Sequence, residues 1–445
     1  DGSGVLSFSD VGVTSDAQGN TVAGTNAGDS FTGTDANNNT LIGKDAGTAI
    51  TTGDSNTALG TDALETATTT AENTAIGRSA LASTTTGGYN TAVGSGAMYA
   101  NTEGQRNVAV GRDCLITSTT GNDNTGLGYF ALQDNTTGYQ NTAVGRSALK
   151  DLTTGRINVA IGDYALASAT DAERNVAIGS SCMTSYVASG ASWSTAVGFR
   201  SATNTTTGTT FTCLGADALN AQTTGYSNVA IGYGNSSSLT TGSQNVGVGT
   251  STLQSNVTGA SNTIVGNRAY RLGNDGNSNV GVGANVLEDN TANSNTAVGT
   301  NAMMENTSGT RNVAVGYQTL ASNTTNNDNT AIGYYALATS NGGYENTAIG
   351  RNAMASMTTG AMNTAVGVQA LNTATTGNNN SMYGMYSGQS ITTGGANTGV
   401  GYMSLYGLTT GSDNIAIGKQ ALQGSTTQSN NVAVGNDALK VSTAT

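Results

Sequence analysis

Apolar and polar positions recur along this chain in a unit of 17 residues. One copy, residues 141–155, reads Asn-Thr-Ala-Val-Gly-Arg-Ser-Ala-Leu-Lys-Asp-Leu-Thr-Thr-Gly. Counted by the Gly that closes the opening pentapeptide, 24 copies run from Gly43 to Gly435, and 21 of the 23 steps between them are 17 residues long. The step after Gly179 is 19 residues and the step after Gly283 is 16. A fixed period this short predicts a solenoid.

Within one repeat, numbered from the Asn at position 1, bulky and small residues alternate. Position 4 is aliphatic in every copy except Tyr383, and position 3 is Ala or Gly in 20 of the 24 copies. This period of two predicts a strand, with the bulky residue of position 4 facing the core and the small residue of position 3 packing closely against another chain. Position 9 is Leu or Met in 19 copies, which predicts a second short strand in each coil.

Glycine and asparagine mark the corners of the predicted coil. Position 5 is Gly in all 24 copies, as expected where the backbone needs a positive φ or a neighbour approaches closely. Position 15 is Gly in most copies and marks a second corner. Position 1 is Asn in 22 copies, and we expect these side chains to hydrogen-bond to one another from coil to coil. Recurrent Gly and β-branched residues argue against helix.

The regularity of the repeat predicts one long all-β domain, a parallel β-solenoid (β-roll) of about 24 coils. Residues 39–445 form this repeat domain. Residues 1–38 contain a single degenerate copy, Asn20-Thr21-Val22-Ala23-Gly24, and are predicted to form an N-terminal cap or junction. Such a segment is expected where a solenoid begins, because an open terminal coil exposes unpaired strand edges.

Composition and charge argue against several classes of function. The chain has no His and only scattered carboxylates, so no acid–base pair is predicted and we expect no enzyme activity. A net charge of −12 argues against nucleic acid, and no apolar run is long enough for membrane insertion. The turns lack the Gly-Gly-X-Gly-X-Asp pattern of calcium-binding repeats, so no metal or cofactor is expected. Cys114, Cys182 and Cys213 fall at small-residue positions and are predicted to be buried, unpaired thiols.

The run Asn-Thr-Ala-Val-Gly-X-X-Ala-Leu, followed by Thr-Thr-Gly, resembles two known groups of repeats across residues 39–445. It is similar to the head repeats of YadA-type trimeric autotransporter adhesins, and it looks closer still to the longer shaft repeats of phage tail-fibre proteins. The resemblance implies a left-handed solenoid, whereas the crossover rule for parallel strands alone would favour a right-handed one. It also implies a homotrimer. No heptads or membrane-barrel strands of an autotransporter are present in this sequence.

The function expected from this resemblance is structural and adhesive. The chain would be an extracellular fibre component, most simply part of a phage tail fibre or related surface fibre on a virion or cell, that attaches to a host cell. The head of a YadA-like adhesin is the alternative within the same class. An ice-binding β-solenoid is an alternative from another class, because the Thr-rich turns could order water.

Two interruptions of the repeat are the predicted ligand-binding places. The 19-residue step contains Tyr186 and Trp193, the one Trp of the chain. Residues 382–406 contain the second set, Tyr383, Tyr386, Tyr402 and Tyr406. Aromatic side chains on a surface suit stacking against the sugar rings of a cell-surface glycan. The competing interpretation is that these aromatic residues fill the core of an irregular coil.

Overall fold

The computed structural model describes residues 13–32, 34–187 and 190–440, which fall into two compact units divided between Thr224 and Gly225. The first unit contains β1 (Thr14–Ser15), β2 (Thr21–Ala23), β3 (Thr40–Ile42), β4 (Thr57–Leu59), β5 (Thr74–Ile76), β6 (Thr91–Val93), β7 (Val108–Val110), β8 (Thr125–Leu127), β9 (Thr142–Val144), β10 (Val159–Ile161), β11 (Ala172–Glu173), β12 (Val176–Ile178), β13 (Gly190–Ala191), β14 (Thr195–Val197) and β15 (Thr212–Leu214).

The second unit contains β16 (Val229–Ile231), β17 (Val246–Val248), β18 (Thr263–Val265), β19 (Val280–Val282), β20 (Thr296–Val298), β21 (Val313–Val315), β22 (Thr330–Ile332), β23 (Thr347–Ile349), β24 (Thr364–Val366), β25 (Ser381–Tyr383), β26 (Thr398–Val400), β27 (Ile415–Ile417) and β28 (Val432–Val434). All other described residues are in turns and loops. They include no helix of a length and apolarity that could span a membrane.

Consecutive repeat strands pair in parallel, position by position, within each unit. Ala143 of β9 lies beside Ala160 of β10, one repeat of 17 residues further on. The 19-residue step keeps the same register, with Val176 beside Thr195, and so does the 16-residue step, with Val280 beside Thr296. The turns therefore absorb both changes of length. The predicted all-β parallel solenoid of about 24 coils is confirmed.

The degenerate copy at Asn20 also forms a coil. β2 pairs in parallel with β3, and β1 pairs antiparallel with β2. β1 thus occupies the edge of β2 that β3 leaves open, as a cap on a sheet edge would. Residues 1–12 of the predicted cap or junction lie outside the described residues.

The interior of the coil holds the small side chain of each strand. In all 24 repeat strands the residue at position 3 is buried, whereas positions 2 and 4 are half-buried or exposed. Ala143 is fully buried inside its own chain, while Leu127, at position 4, is 47% exposed. The expectation that position 4 faces the core is therefore wrong, and so is the expectation that position 3 packs against another chain. A coil with one three-residue strand and tight turns is narrow, and its interior has room for a methyl group opposite the Leu at position 9.

Position 9 points inward as predicted, but from a turn. Leu149 is fully buried and has φ 51°, and Ser147, at position 7, has φ 56°. Two left-handed residues so close together cannot form a regular strand, so the expected second strand is not formed in this coil. Among the described residues a second ladder occurs where β11 pairs with β13, beside the 19-residue step.

In two coils a large residue at position 3 is compensated by Gly at position 9. Leu41 and Met382 replace the usual Ala, and their coils have Gly47 and Gly388 where Leu or Met is usual. A Cβ at Gly47 would lie 2.8 Å from Leu41 Cδ2, and a Cβ at Gly388 would lie 2.7 Å from Met382 Sδ. In these two coils the missing side chain at position 9 offsets the bulk at position 3, as close packing requires. The coil with Ile264 at position 3 differs, because it keeps Tyr270 at position 9; Ile264 lies beside Gly281 of the next coil, where a Cβ would be 3.1 Å from Ile264 Cδ1.

Asn and Gly connect neighbouring coils as predicted. Asn141 Nδ2 donates to Asn124 Oδ1 of the preceding coil at 3.2 Å, and it also donates to Gly155 O, at position 15 of its own coil, at 2.9 Å. Gly145 has φ 129°, and a Cβ there would lie 2.5 Å from Gly162 O in the next coil. Only Gly therefore allows the coils to approach this closely at position 5.

The three cysteines are buried, unpaired thiols, as predicted. Cys213 Sγ accepts a hydrogen bond from Ser201 Oγ at 3.0 Å. Burial raises the pKa of Cys114 and of Cys213 to about 12, and it also raises the pKa of Cys182. All three side chains are therefore neutral packing groups near neutral pH.

Candidate interaction surfaces

The strands present a row of aliphatic side chains on their outer side. We call the side chains at positions 2 and 4 of the 24 repeat strands the outer sheet face. Position 4 supplies the larger residues, such as Leu59 at 46% and Ile161 at 38% exposure. Position 2, which also faces outward, is Thr or Val in every copy except those with Ser381 and Ile415. The exposed residues at position 4 are Ile42, Leu59, Leu127, Ile161, Leu214, Val282, Val298, Ile332, Ile349, Tyr383, Val400, Ile417 and Val434.

The outer sheet face carries no charged residue in any of the 24 copies, although the chain has 42 charged residues, 15 basic and 27 acidic. The ion pairs of the described residues lie outside the repeat strands, mostly in the turns. Arg146 contacts Asp163 in the next coil at 2.9 Å, and its guanidinium lowers the pKa of the Asp163 carboxyl. Arg311 pairs with Asp328 at 2.7 Å in the same way. Charge is thus kept off the repeat strands, and their outer face combines the aliphatic side chains of position 4 with Thr or aliphatic side chains at most positions 2. A surface of this kind is typical of a protein–protein contact.

The structure separates the two aromatic residues of the first predicted ligand-binding place. Tyr186 is fully buried and packs edge-to-face on Phe211, with ring centroids 6.4 Å apart. Phe211 stands at position 1, where Asn is usual, so the two rings fill the core where the Asn ladder is interrupted. Burial also raises the pKa of Tyr186. Trp193 is 63% exposed, so of this pair only Trp193 presents a surface to a ligand.

Three of the four Tyr residues of the second predicted ligand-binding place form a cluster. Tyr386 contacts Tyr402 and Tyr406 edge-to-face, with ring centroids 6.2 and 6.5 Å away. Tyr402 is 37% exposed, and the other two rings of this cluster are half-buried. Tyr383 is at position 4 of β25 and belongs to the outer sheet face instead. A ligand on the cluster would therefore contact Tyr402 most directly.

Sequence reasoning missed a third aromatic cluster, in the second unit. Tyr317 and Tyr334 stack at 5.5 Å with an interplanar angle of 15°, and Tyr335 meets Tyr334 edge-to-face at 4.5 Å. Tyr317 and Tyr334 occupy position 6 of consecutive repeats, where the coil spacing sets them face to face. The signal in the sequence was the recurrence of Tyr at the same position 17 residues apart, within repeats of normal length.

Thr at position 13 of the turns uses its hydroxyl group within the chain. At position 13, Thr136 Oγ1 donates to Thr153 O at 3.1 Å, and Thr358 Oγ1 donates to Thr375 O at 2.9 Å. The same bond recurs in many other coils. A hydroxyl that donates to the backbone cannot donate to ordered water, so the hydroxyls of position 13 give no support to the ice-binding alternative. A structural role accounts for the recurrence of Thr at position 13, whereas Thr at position 14, such as Thr154, is exposed.

The part of the chain that the structure describes contains no cluster of three or more His, Cys, Asp or Glu side chains that could hold a metal ion. Comparison of the chain with protein-family models and with curated proteins finds no match.

Proposed function

We propose that this protein is a structural and adhesive component of an extracellular fibre, a phage tail fibre or related surface fibre that attaches to a host cell. In this proposal it assembles as a homotrimer of left-handed solenoids. The head of a YadA-like autotransporter adhesin is the alternative assignment within the same class. The resemblance of the repeat supports both assignments, and the outer sheet face is the observation that supports self-assembly.

The argument for self-assembly rests on spacing as well as on apolarity. Position 4 places an aliphatic side chain outward in every coil except the one with Tyr383, so each unit has a long row of evenly spaced apolar groups. Exposed apolar area of this kind favours burial against a partner. A partner must have the same spacing to match the whole row, and a second copy of this chain has that spacing by construction. Cyclic symmetry then closes the assembly.

The adhesive part of the proposal is tested by binding to cells. Fluorescently labelled protein is titrated onto a panel of bacterial strains and onto cultured animal cells, with unlabelled protein as competitor. Saturable, competed binding to particular bacterial strains supports the tail-fibre assignment, and saturable binding to animal cells supports the adhesin head. An absence of competed binding to every cell of both kinds would contradict the adhesive function.

A further inference from the structure

A surface groove of about 510 Å³ lies beside the third aromatic cluster in the second unit. Its floor includes Ala321, Ala338 and Ala355, which occupy position 10 of three consecutive repeats. Position 10 usually carries a longer side chain, such as Ile116, and Met304 stands there in the preceding coil. Three adjacent small residues therefore open a recess, and Met304 contributes to its lining.

One side of the groove is aromatic and held in place. Tyr334 and Tyr335 both line it. Tyr334 is fixed between Tyr317, stacked against it, and Tyr335, which contacts Tyr334 at 4.5 Å and Tyr317 at 5.7 Å. Tyr334 remains 50% exposed. Rings fixed by their neighbours lose little conformational freedom when a ligand stacks on them.

The remaining lining is polar and has hydrogen-bonding capacity to spare. Glu305, Gln318 and Asn352 contribute side chains to the groove. Within the described residues no hydrogen bond or ion pair occupies these three side chains. The two amides both donate and accept, and the carboxylate accepts. Thr339 differs, because its hydroxyl donates to Ala355 O at 2.9 Å.

We propose that this groove binds a pyranose unit of a neutral glycan. This inference rests on the proposed adhesive function and names the ligand class for it. The C–H face of the sugar packs on the tyrosine rings and the alanine methyl groups, and its hydroxyls bond to Glu305, Gln318 and Asn352. Neutral sugars are favoured because Glu305 is the one charged side chain in the lining, and its charge repels acidic sugars.

Binding is measured by calorimetry and saturation-transfer NMR, using chitotriose, maltotriose and lactose as neutral probes and sialyllactose as the acidic probe. Ala338→Leu fills the groove, and its matched control is Ala167→Leu, which has the same repeat position and the same exposure of 6%. Tyr335→Ala removes a ring, and Tyr164→Ala is its control at position 7. We expect at least one neutral probe to bind, and each groove variant to raise its dissociation constant about tenfold or more. The controls should bind as the parent does.

Three results would overturn the proposal: no binding of any neutral probe, tighter binding of sialyllactose than of every neutral probe, or unchanged binding in both groove variants. Thermal unfolding of each variant identifies any variant that fails to fold. If one groove variant fails to fold, the binding measured with the other groove variant tests the proposal. Cell binding is measured on the same proteins. Cell attachment that survives both groove variants at full strength, with no glycan bound, would reject the groove and leave the adhesive function standing. Absence of cell attachment by the parent would reject the adhesive function itself.

Discussion

Asn124 Oδ1 accepts a hydrogen bond from the backbone N–H of Asn141, one coil further along, at 3.0 Å. Asn141 Oδ1 in turn accepts from the backbone N–H of Asn158 at 3.1 Å. These side chains are fully buried, so each coil depends on the preceding one to satisfy a backbone group that water cannot reach. The ladder therefore links folding of one coil to the presence of its neighbour.

Asn141→Ala should destabilise the fold by about 1 to 3 kcal/mol, because it leaves the buried N–H of Asn158 and the carbonyl of Gly155 without these partners. Urea-induced unfolding followed by circular dichroism measures the change. Asn267→Ala is the control, since Asn267 is exposed at position 6, and it should alter the free energy of unfolding by about 0.5 kcal/mol or less. Equal effects of the two substitutions would refute a stabilising role for the ladder.

The compensation between positions 3 and 9 predicts that two substitutions rescue each other. Gly388→Leu alone should cost about 1 to 3 kcal/mol, because the new side chain meets Met382. Met382→Ala alone should cost roughly 2 to 5 kcal/mol through the cavity it leaves. The double variant restores the usual Ala and Leu pair, as in Ala143 with Leu149, and should unfold close to the parent. If the two single costs simply add in the double-mutant cycle, constant core volume is not what pairs these residues.

The buried cysteines predict a loss of stability in alkaline solution. Burial raises the pKa of Cys114 and of Cys213 to about 12, above the value of about 8.5 for an exposed thiol. A group with a raised pKa in the folded state contributes its full stability below about pH 8.5, and the contribution is lost as pH rises towards 12. The free energy of unfolding should therefore fall between these pH values, and substitution of both residues by Ala should reduce the fall.

The same burial predicts that iodoacetamide labels none of the three thiols in the native protein at pH 8, while all three react in urea. Mass spectrometry of the intact chain counts the labels. Labelling of the native protein at the rate of a free thiol would show that the cysteines are accessible.

Sequence periodicity was sufficient to predict the coil, but it could not determine which side of the strand faces inward. The role of glycine at position 5, the Asn ladder and the parallel register could be predicted, because each depends on a residue type that suits only one environment in the coil. Positions 3 and 4 are ambiguous by comparison, because Ala143 and Val144 are both apolar and either could be buried. The coil is too narrow to bury the larger residue. Its width depends on the left-handed turn conformations at positions 7 and 9, which the residue types of Ser147 and Leu149 do not indicate.

The candidate ligand sites were harder to predict because aromatic residues serve both core and surface. Tyr186 lies in an irregular coil and fills the core, whereas Trp193 in the same segment is exposed. The groove near Tyr335 was missed because it is formed mainly by small side chains at position 10, and small side chains are not a conspicuous sequence signal. A comparison of position 10 across the repeats would have found it, since Ala321, Ala338 and Ala355 follow one another there.

The outer sheet face predicts that charge at position 4 disrupts self-assembly. Ile161→Asp should weaken the trimer strongly, because a carboxylate from every subunit would be buried without a partner in the contact. Ile157→Asp is the matched control, since Ile157 is 42% exposed and lies in the turn rather than on the outer sheet face. Sedimentation velocity compares the two variants. Equal dissociation in both would show that the effect comes from added charge and not from the outer sheet face.

The mass of the parent protein in solution tests self-assembly most directly. Native mass spectrometry and sedimentation equilibrium over a range of protein concentrations should give a particle of three times the chain mass of 44.2 kDa. Burial of the uncharged aliphatic rows of three chains against one another is the reason for this expectation. A folded particle of 44.2 kDa at every concentration would contradict the account, because the outer sheet face would then remain exposed to water.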